Sequence, residues 1–179
     1  GYNGGERHFV VRVHPSWAPL GAAQFKELIT SGFLTNSRFF RVIDRFMAQF
    51  GISPDPATTH SWQSKVIKDD PVKHKNARGT ITFATSGPNT RTTQLFINFK
   101  DNSYLDPQGF APFGEVVEGM EDAVDHINKK HRENPDQGKI NNEGEAYLQR
   151  EFPDLTKILA THLLVTATLQ PYPGPENVL

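Results

Sequence analysis

Cysteine is absent from the 179-residue sequence. Its absence excludes thiol catalysis, disulfides and cysteine-based zinc sites, and a chain of this length can bury a core without such cross-links. The seven histidines do not have the spacing of metal ligands. The segment GPNTRTTQ also lacks the GK[ST] of a phosphate-binding loop. We therefore expect no metal and no other cofactor.

Excess basic charge and long apolar runs are also missing. Lys and Arg total 19 against 20 Asp and Glu, so no positive field is available to hold a phosphate backbone, and nucleic acid is not an expected partner. No stretch approaches the ~20 apolar residues of a membrane span, and the N-terminal GYNGGERHF contains no signal-peptide core. The sequence predicts a soluble chain whose targeting segment is not included, and it leaves the compartment open.

Short apolar runs separated by Gly, Pro, Asn and Asp dominate the chain. Runs of this length that are rich in Phe, Val, Ile and Thr are typical of β-strands. Strands are predicted at residues 8–13, 38–43, 79–84, 94–99, 111–117 and 162–169.

Only two segments have clear helical spacing. The first covers residues 19–33, with Pro19 suited to a first turn and Gly32 to a helix end, and the second covers residues 119–130. Many strands with two helices indicate a mostly antiparallel closed sheet whose ends the helices cover.

Residues 129–157 are polar and form a predicted surface excursion with a short helix around 146–150. Its apolar residues Tyr147, Leu148 and Phe152 are expected to pack on the sheet. The C-terminal tail, residues 171–179, contains three prolines and is predicted to be extended or disordered.

Two predicted strands alternate in a way that suggests a binding face. In RFFRVI, a period of two places Phe39, Arg41 and Ile43 on one face. In QLFINF it separates a plain core stripe from a second stripe of Gln94, Phe96 and Asn98. Opposed to one another, these strands would form a shallow apolar pocket with a polar rim.

Three longer stretches, in order, resemble one family. They are FFRVIDRFMAQFG, GTITFATSGPNTRTTQLFINF and YLDPQGFAPFGEVVEGMEDAVDHI, and they resemble the cyclophilins, which are peptidyl-prolyl cis/trans isomerases. The resemblance covers about residues 6–128 and 158–169. It implies a mostly β fold, a closed eight-stranded antiparallel β-barrel capped by two α-helices, within a domain of residues 1–170. The family's first strand has no counterpart in this chain.

The resemblance also implies roles for individual residues. The family's catalytic arginine matches Arg41, which would stabilise a twisted X-Pro amide. The residues that would bind substrate are Phe46, Met47, Phe96 and Leu105 in a proline pocket, and Gln49, Gln94, Ala84 and Thr85 along the peptide.

Three positions depart from the family pattern. Tyr104 stands where animal members often have a tryptophan that supports cyclosporin binding, so we expect weak binding of that drug. Phe110 replaces a groove histidine, which makes that side of the pocket more apolar, and Thr85 replaces an asparagine.

The expected activity is peptidyl-prolyl cis/trans isomerisation on proline-containing peptides and protein clients, as a protein-folding helper. The alternative is a proline-binding scaffold within a larger assembly, docked through the 129–157 segment or the tail. Taken alone, Arg41 is more typical of an exposed strand arginine that pairs with an acid, and the pocket residues are more typical of a core. Only the surrounding motifs favour the catalytic reading.

Overall fold

The computed structural model describes residues 5–164. Its six β-strands are β1 (Val10–Val13), β2 (Arg41–Ile43), β3 (Met47–Phe50), β4 (Thr80–Phe83), β5 (Leu95–Asn98) and β6 (Gly114–Glu118). Its four α-helices are α1 (Pro19–Thr30), α2 (Pro56–Trp62), α3 (Gln137–Glu143) and α4 (Glu145–Glu151). Short 3₁₀ turns cover Ser103–Gln108 and Val124–His126. No helix within these residues is both long and apolar enough to cross a membrane.

The strands form one antiparallel sheet in the order β1-β6-β4-β5-β3-β2. Five of its strands fall in predicted runs, whereas β3 is a strand of its own that returns from β2 through a tight turn at Arg45, where φ is +55°. Within residues 5–164, β1 and β2 are the two ends of the order and do not pair with each other, so the closed eight-stranded barrel stays a prediction. A strand was predicted at 162–169. Residues 162–164 are not in a strand, and the rest of that prediction lies outside the described residues, as does the tail.

The main core lies on one face of this sheet. Val42, Ala48, Ile97 and Ile81 are opposed in turn across β2, β3, β5 and β4, and all are buried. Helix α1 packs against them with the apolar stripe that its spacing predicted, and it ends as expected, with Gly32 at φ +72° just beyond its last turn.

One predicted face is wrong. Phe39 does not share a face with Arg41 but packs in the main core beside Val42, 4.8 Å from the ring centre of Phe50. Regular strand begins only at Arg41, so the period of two cannot be extended back to Phe39.

The second predicted helix, at 119–130, is also wrong. The segment consists of turns around the 3₁₀ turn Val124–His126, and the chain becomes extended at Ile127 (φ −56°, ψ 133°). The side chain of Asn128 accepts a hydrogen bond from the Lys130 N–H and donates one to the Asp154 carbonyl, so tertiary pairing replaces further helical turns. The apolar residues are nevertheless buried, which explains the helix-like spacing.

The 129–157 segment is folded onto the sheet. As predicted, Tyr147 and Leu148 are buried, and they share a cluster with Phe40 and Ile52, with Phe152 packed against it. The predicted short helix is α4, while α3 was not predicted. The two helices meet at Gly144, whose φ is +60° and where a Cβ would overlap the Pro54 carbonyl oxygen.

Arg38 anchors the same segment from the sheet side. Its guanidinium, 3% exposed, donates to both carboxylate oxygens of Glu145 (2.6 and 3.0 Å) and to the Gln149 side chain at 2.9 Å. It also donates to the carbonyls of Pro153 and Leu155 at 2.9 and 3.2 Å. The stretch 38–43 therefore has two tasks. It pairs with the sheet through β2, and it holds the 129–157 segment through Arg38.

Candidate functional site

A row of side chains crosses the sheet on the face opposite the main core. Arg41 on β2 is directly opposite Gln49 on β3, and Gln49 is opposite Phe96 on β5. Directly opposed residues point to the same side of a sheet, so strand register alone brings these three together. Arg41 and Gln49 are only 8 positions apart, but Gln49 and Phe96 lie on strands that are distant in sequence, so the row depends on the tertiary fold.

Hydrogen bonds connect the polar members of the row. Arg41 Nη1 donates to Gln49 Oε1 at 3.2 Å, and Gln49 Nε2 donates to Gln94 Oε1 at 2.8 Å. Gln49 is only 6% exposed. The chain Arg41–Gln49–Gln94 therefore presents a cation and two oriented amides beside the apolar residues.

A small apolar cluster, separate from the main core, lies next to this chain. It consists of buried Met47, Phe96 and Leu105, with Ile43, Phe46, Ala84 and Phe110 partly buried around them. The rings of Phe96 and Phe110 meet edge to face, 5.8 Å between centres. The partly exposed members leave an apolar surface that a small ring can contact, and we call these seven residues the pocket cluster.

The remaining predicted residues form the rim of the pocket. Tyr104 is 53% exposed and its ring stacks on Phe46 at 6.2 Å between centres. The Ala84 N–H donates to the Gln94 carbonyl at 2.9 Å, which leaves the Ala84 carbonyl for an extended partner. The Thr85 hydroxyl is engaged in its own turn, with Gly87 and with Thr90.

A buried polar network underlies the pocket walls, and no local sequence pattern predicted it. The Asn76 side chain donates to Asp106 Oδ1 at 2.8 Å and to the Phe110 carbonyl at 2.9 Å. The Asn102 side chain donates to the Phe46 carbonyl at 2.9 Å. The turn that carries Phe46 and the segment that carries Leu105 and Phe110 are thus tied to one buried set of amides, in which Asn98 and Thr82 also take part.

This network explains why Asn98 is not part of the pocket rim. As the alternation of QLFINF predicts, Asn98 lies on the face of Phe96, where it is opposite Met47. It is fully buried, however, and its Nδ2 donates to Thr80 Oγ1 at 2.9 Å. It supports the pocket from within rather than forming the rim.

Arg41 has one further partner, which the sequence also did not predict. Its Nε donates to Glu133 Oε2 at 3.2 Å, and its Cζ lies 5.9 Å from the ring centre of Phe46. Glu133 belongs to the 129–157 segment, 92 positions away in sequence. Arg41 therefore does pair with an acid, but it does so at the edge of an apolar pocket rather than on a plain strand surface.

Comparison with known proteins fits this geometry. A family model described as "Cyclophilin type peptidyl-prolyl cis-trans isomerase/CLD" matches residues 3–144. The chain belongs to the cyclophilin family. The match includes every predicted site residue and extends into the 129–157 segment as far as Gly144.

Two bacterial relatives show how far the likeness extends. Peptidyl-prolyl cis-trans isomerase A of Dickeya dadantii is 38% identical over 122 residues, which are 65% of this chain and 64% of that protein. Peptidyl-prolyl cis-trans isomerase B of Escherichia coli is 35% identical over 127 residues, which are 66% of this chain and 76% of that protein. The chain thus matches somewhat less than two thirds of the length of the Dickeya cyclophilin.

A solved structure shows the same fold. A cyclophilin-type peptidyl-prolyl cis-trans isomerase of Cryptosporidium parvum, crystallised in the presence of the dipeptide Ala-Pro, superposes with a TM-score of 0.56 at 24% identity. The superposition covers 69% of this chain and 84% of that one. The six-stranded antiparallel sheet with its helices is accordingly a cyclophilin-like fold.

Proposed function

We propose that this chain is a peptidyl-prolyl cis/trans isomerase that accelerates rotation about X-Pro bonds in peptides and protein clients. The observation that carries the proposal is the juxtaposition of Arg41, held by Gln49, with the pocket cluster around Phe96. An apolar socket can grip a proline ring, while a fixed guanidinium lies beside it. Membership of the cyclophilin family supports the same assignment.

The chemistry needs little from the protein. An X-Pro amide is planar by resonance, with a rotation barrier of ~18–20 kcal/mol, and uncatalysed exchange takes tens of seconds or longer. Rotation towards 90 degrees localises the lone pair on the nitrogen, because the amide resonance is lost. A preorganised N–H of Arg41 stabilises that twisted state more than either planar state, which is the condition for catalysis. No nucleophile, proton transfer or metal takes part.

The other rim residues orient the peptide in this proposal. Gln94 and the carbonyl of Ala84 pair with the backbone around the proline, and Phe46, Met47 and Leu105 contact its ring. Thr85, whose hydroxyl is engaged in a turn, contributes through its backbone. Tyr104 and Phe110 extend the apolar rim, and the tyrosine is the reason why cyclosporin should bind weakly.

The decisive experiment measures cis/trans exchange of a short peptide with one Ala-Pro bond by NMR, with wild-type protein and with Arg41→Ala and Arg41→Lys. Wild type should accelerate exchange, and both variants should lose about a hundredfold or more, since lysine lacks the planar fork of arginine. Urea unfolding midpoints that match wild type would show that the fold is intact. Full activity in Arg41→Ala would exclude this mechanism.

The scaffold alternative predicts a different result from the same experiment. The 129–157 segment is folded against the sheet through Arg38 and the cluster around Tyr147, and so it presents an ordered surface beside the pocket. A scaffold would bind the peptide without accelerating exchange, and it would copurify with partners in equal amounts whether or not Arg41 is changed.

A further inference from the structure

Glu133 is the one residue of the 129–157 segment that reaches the polar row. Its carboxylate and the guanidinium of Arg41 lie at the surface, with side chains 62% and 32% exposed. The proposed isomerase mechanism requires an arginine, a pair of amides and an apolar socket, and it assigns nothing to this acid.

The backbone places Glu133 there independently of the ion pair. The preceding residue, Arg132, accepts a hydrogen bond from the Val42 N–H through its carbonyl at 2.9 Å, so the segment is joined to β2 next to Arg41. Arg132 itself has φ +50°, a conformation that non-glycine residues rarely adopt, within a turn closed by the Asn134 N–H and the His131 carbonyl at 2.9 Å. The carboxylate is therefore brought to Arg41 by a fixed turn.

Two of the three guanidinium nitrogens of Arg41 are hydrogen-bonded, and the third is available to a substrate. Glu133 engages Nε and Gln49 engages Nη1, while Nη2 makes no hydrogen bond within the described residues. A free arginine side chain loses rotamer entropy when it is ordered by a ligand, whereas one that is already ordered does not. Donors fixed before the reaction also need no reorganisation when the amide twists.

We propose that Glu133 is a positioning residue of the active site, which together with Gln49 holds Arg41 in one orientation so that Nη2 is available to the twisted X-Pro amide. The inference rests on the proposed isomerase function and extends it to the 129–157 segment. It makes this segment part of the site, and it makes catalysis sensitive to ionic strength, because exposed ion pairs are screened by salt.

The test compares Glu133→Gln with wild type in the NMR exchange assay, at low salt and at high NaCl. An exposed pair of this kind predicts a loss of about two- to five-fold in kcat. KM for the peptide should not change, since Arg41 acts on the twisted state and the pocket cluster holds the ring. High salt should lower the wild-type rate towards that of the variant and leave the variant almost unchanged.

The matched control is Glu143→Gln. It removes the same charge from the same segment, where Glu143 pairs with Arg150 at 2.9 Å and has no contact with Arg41. This variant should keep the wild-type rate and the wild-type salt dependence. The NMR signal of the Arg41 Nε–H, assigned by its loss in Arg41→Lys, should move in Glu133→Gln and stay in place in Glu143→Gln.

Two outcomes separate the inference from the function on which it rests. An active wild type with Glu133→Gln equal to it or faster would overturn the positioning role, and a faster variant would mean that the acid restrains the charge of Arg41. A wild type that does not accelerate exchange would overturn the proposed function itself, and the inference with it.

Discussion

Replacing Arg38 by methionine is the sharpest test of how the 129–157 segment is held. Methionine keeps most of the side-chain length but removes all five hydrogen bonds that the guanidinium donates, at 2.6–3.2 Å. Removing one partner of a buried ion pair costs ~3–5 kcal/mol, mainly because the other charge stays behind. Glu145 would keep Lys157 at 2.8 Å, so we expect the lower end, about 3 kcal/mol.

Urea unfolding followed by the fluorescence of Trp17 and Trp62 measures this loss. With a slope of about 2 kcal/mol per molar urea, the midpoint should fall by about 1.5 M, and the melting temperature by about 6–12 °C. The double variant Arg38→Met with Glu145→Gln should recover about 1 kcal/mol relative to Arg38→Met, because it removes the partly buried carboxylate that has lost its arginine.

Arg150→Met is the matched control for this prediction. It likewise removes an arginine that pairs with an acid of the 129–157 segment, but the side chain of Arg150 is 54% exposed, and its loss should leave the midpoint unchanged within error. The reasoning would be refuted if Arg38→Met shifted the midpoint no more than Arg150→Met, or if the double variant were no more stable than Arg38→Met.

Three further predictions concern the rim, the network and pH. Tyr104→Trp should strengthen cyclosporin binding about five- to tenfold in calorimetry, through a larger ring and a new N–H donor, and no gain would count against the role of this position. Asn76→Ala should destabilise the fold by about 3 kcal/mol in urea and weaken peptide binding in NMR titration, because Asp106 and the Phe110 carbonyl lose a buried donor; unchanged peptide affinity would mean that the network does not shape the pocket. Burial by itself would raise the pKa of Glu145, but hydrogen bonds from Arg38 and Lys157 outweigh it and hold the pKa below 4.5. Its ionised form therefore stabilises the fold above pH 4.5, this stabilisation is lost as the pH falls through the folded-state pKa, and Glu145→Gln should show a flatter loss of unfolding free energy there; equal slopes would contradict the assignment.

The sequence predicted the parts of the site that local periodicity controls. Within β5, a period of two separates Phe96 from Leu95 and Ile97 correctly, because the strand is regular over that stretch. The same rule failed at Phe39, just before β2 begins. It also could not distinguish a rim amide from a buried one, since Asn98 lies on the predicted face but is fully buried.

Long-range contacts were beyond the reach of the sequence for a different reason. Glu133 meets Arg41 across 92 positions, and Asn76 meets Phe110 across 34, with nothing in the local pattern of either segment to mark them. The helical spacing at 119–130 predicted a helix wrongly, because a series of turns brings the same apolar residues into the core. Such contacts are set by which segments the fold brings together, and local patterns in the sequence do not reveal this.

The junction between β2 and the chain's later residues has a consequence for association. β2 is the last strand in the sheet order, yet the stretch ahead of it pairs with residues 156–158, through Asn36, Phe39 and the bridge of Arg38 with Lys157. The Val42 N–H is likewise taken by Arg132. A strand edge whose donors are already occupied offers no template for a second chain. The segment that carries Glu133 therefore also covers this edge of the sheet and prevents edge-to-edge aggregation there.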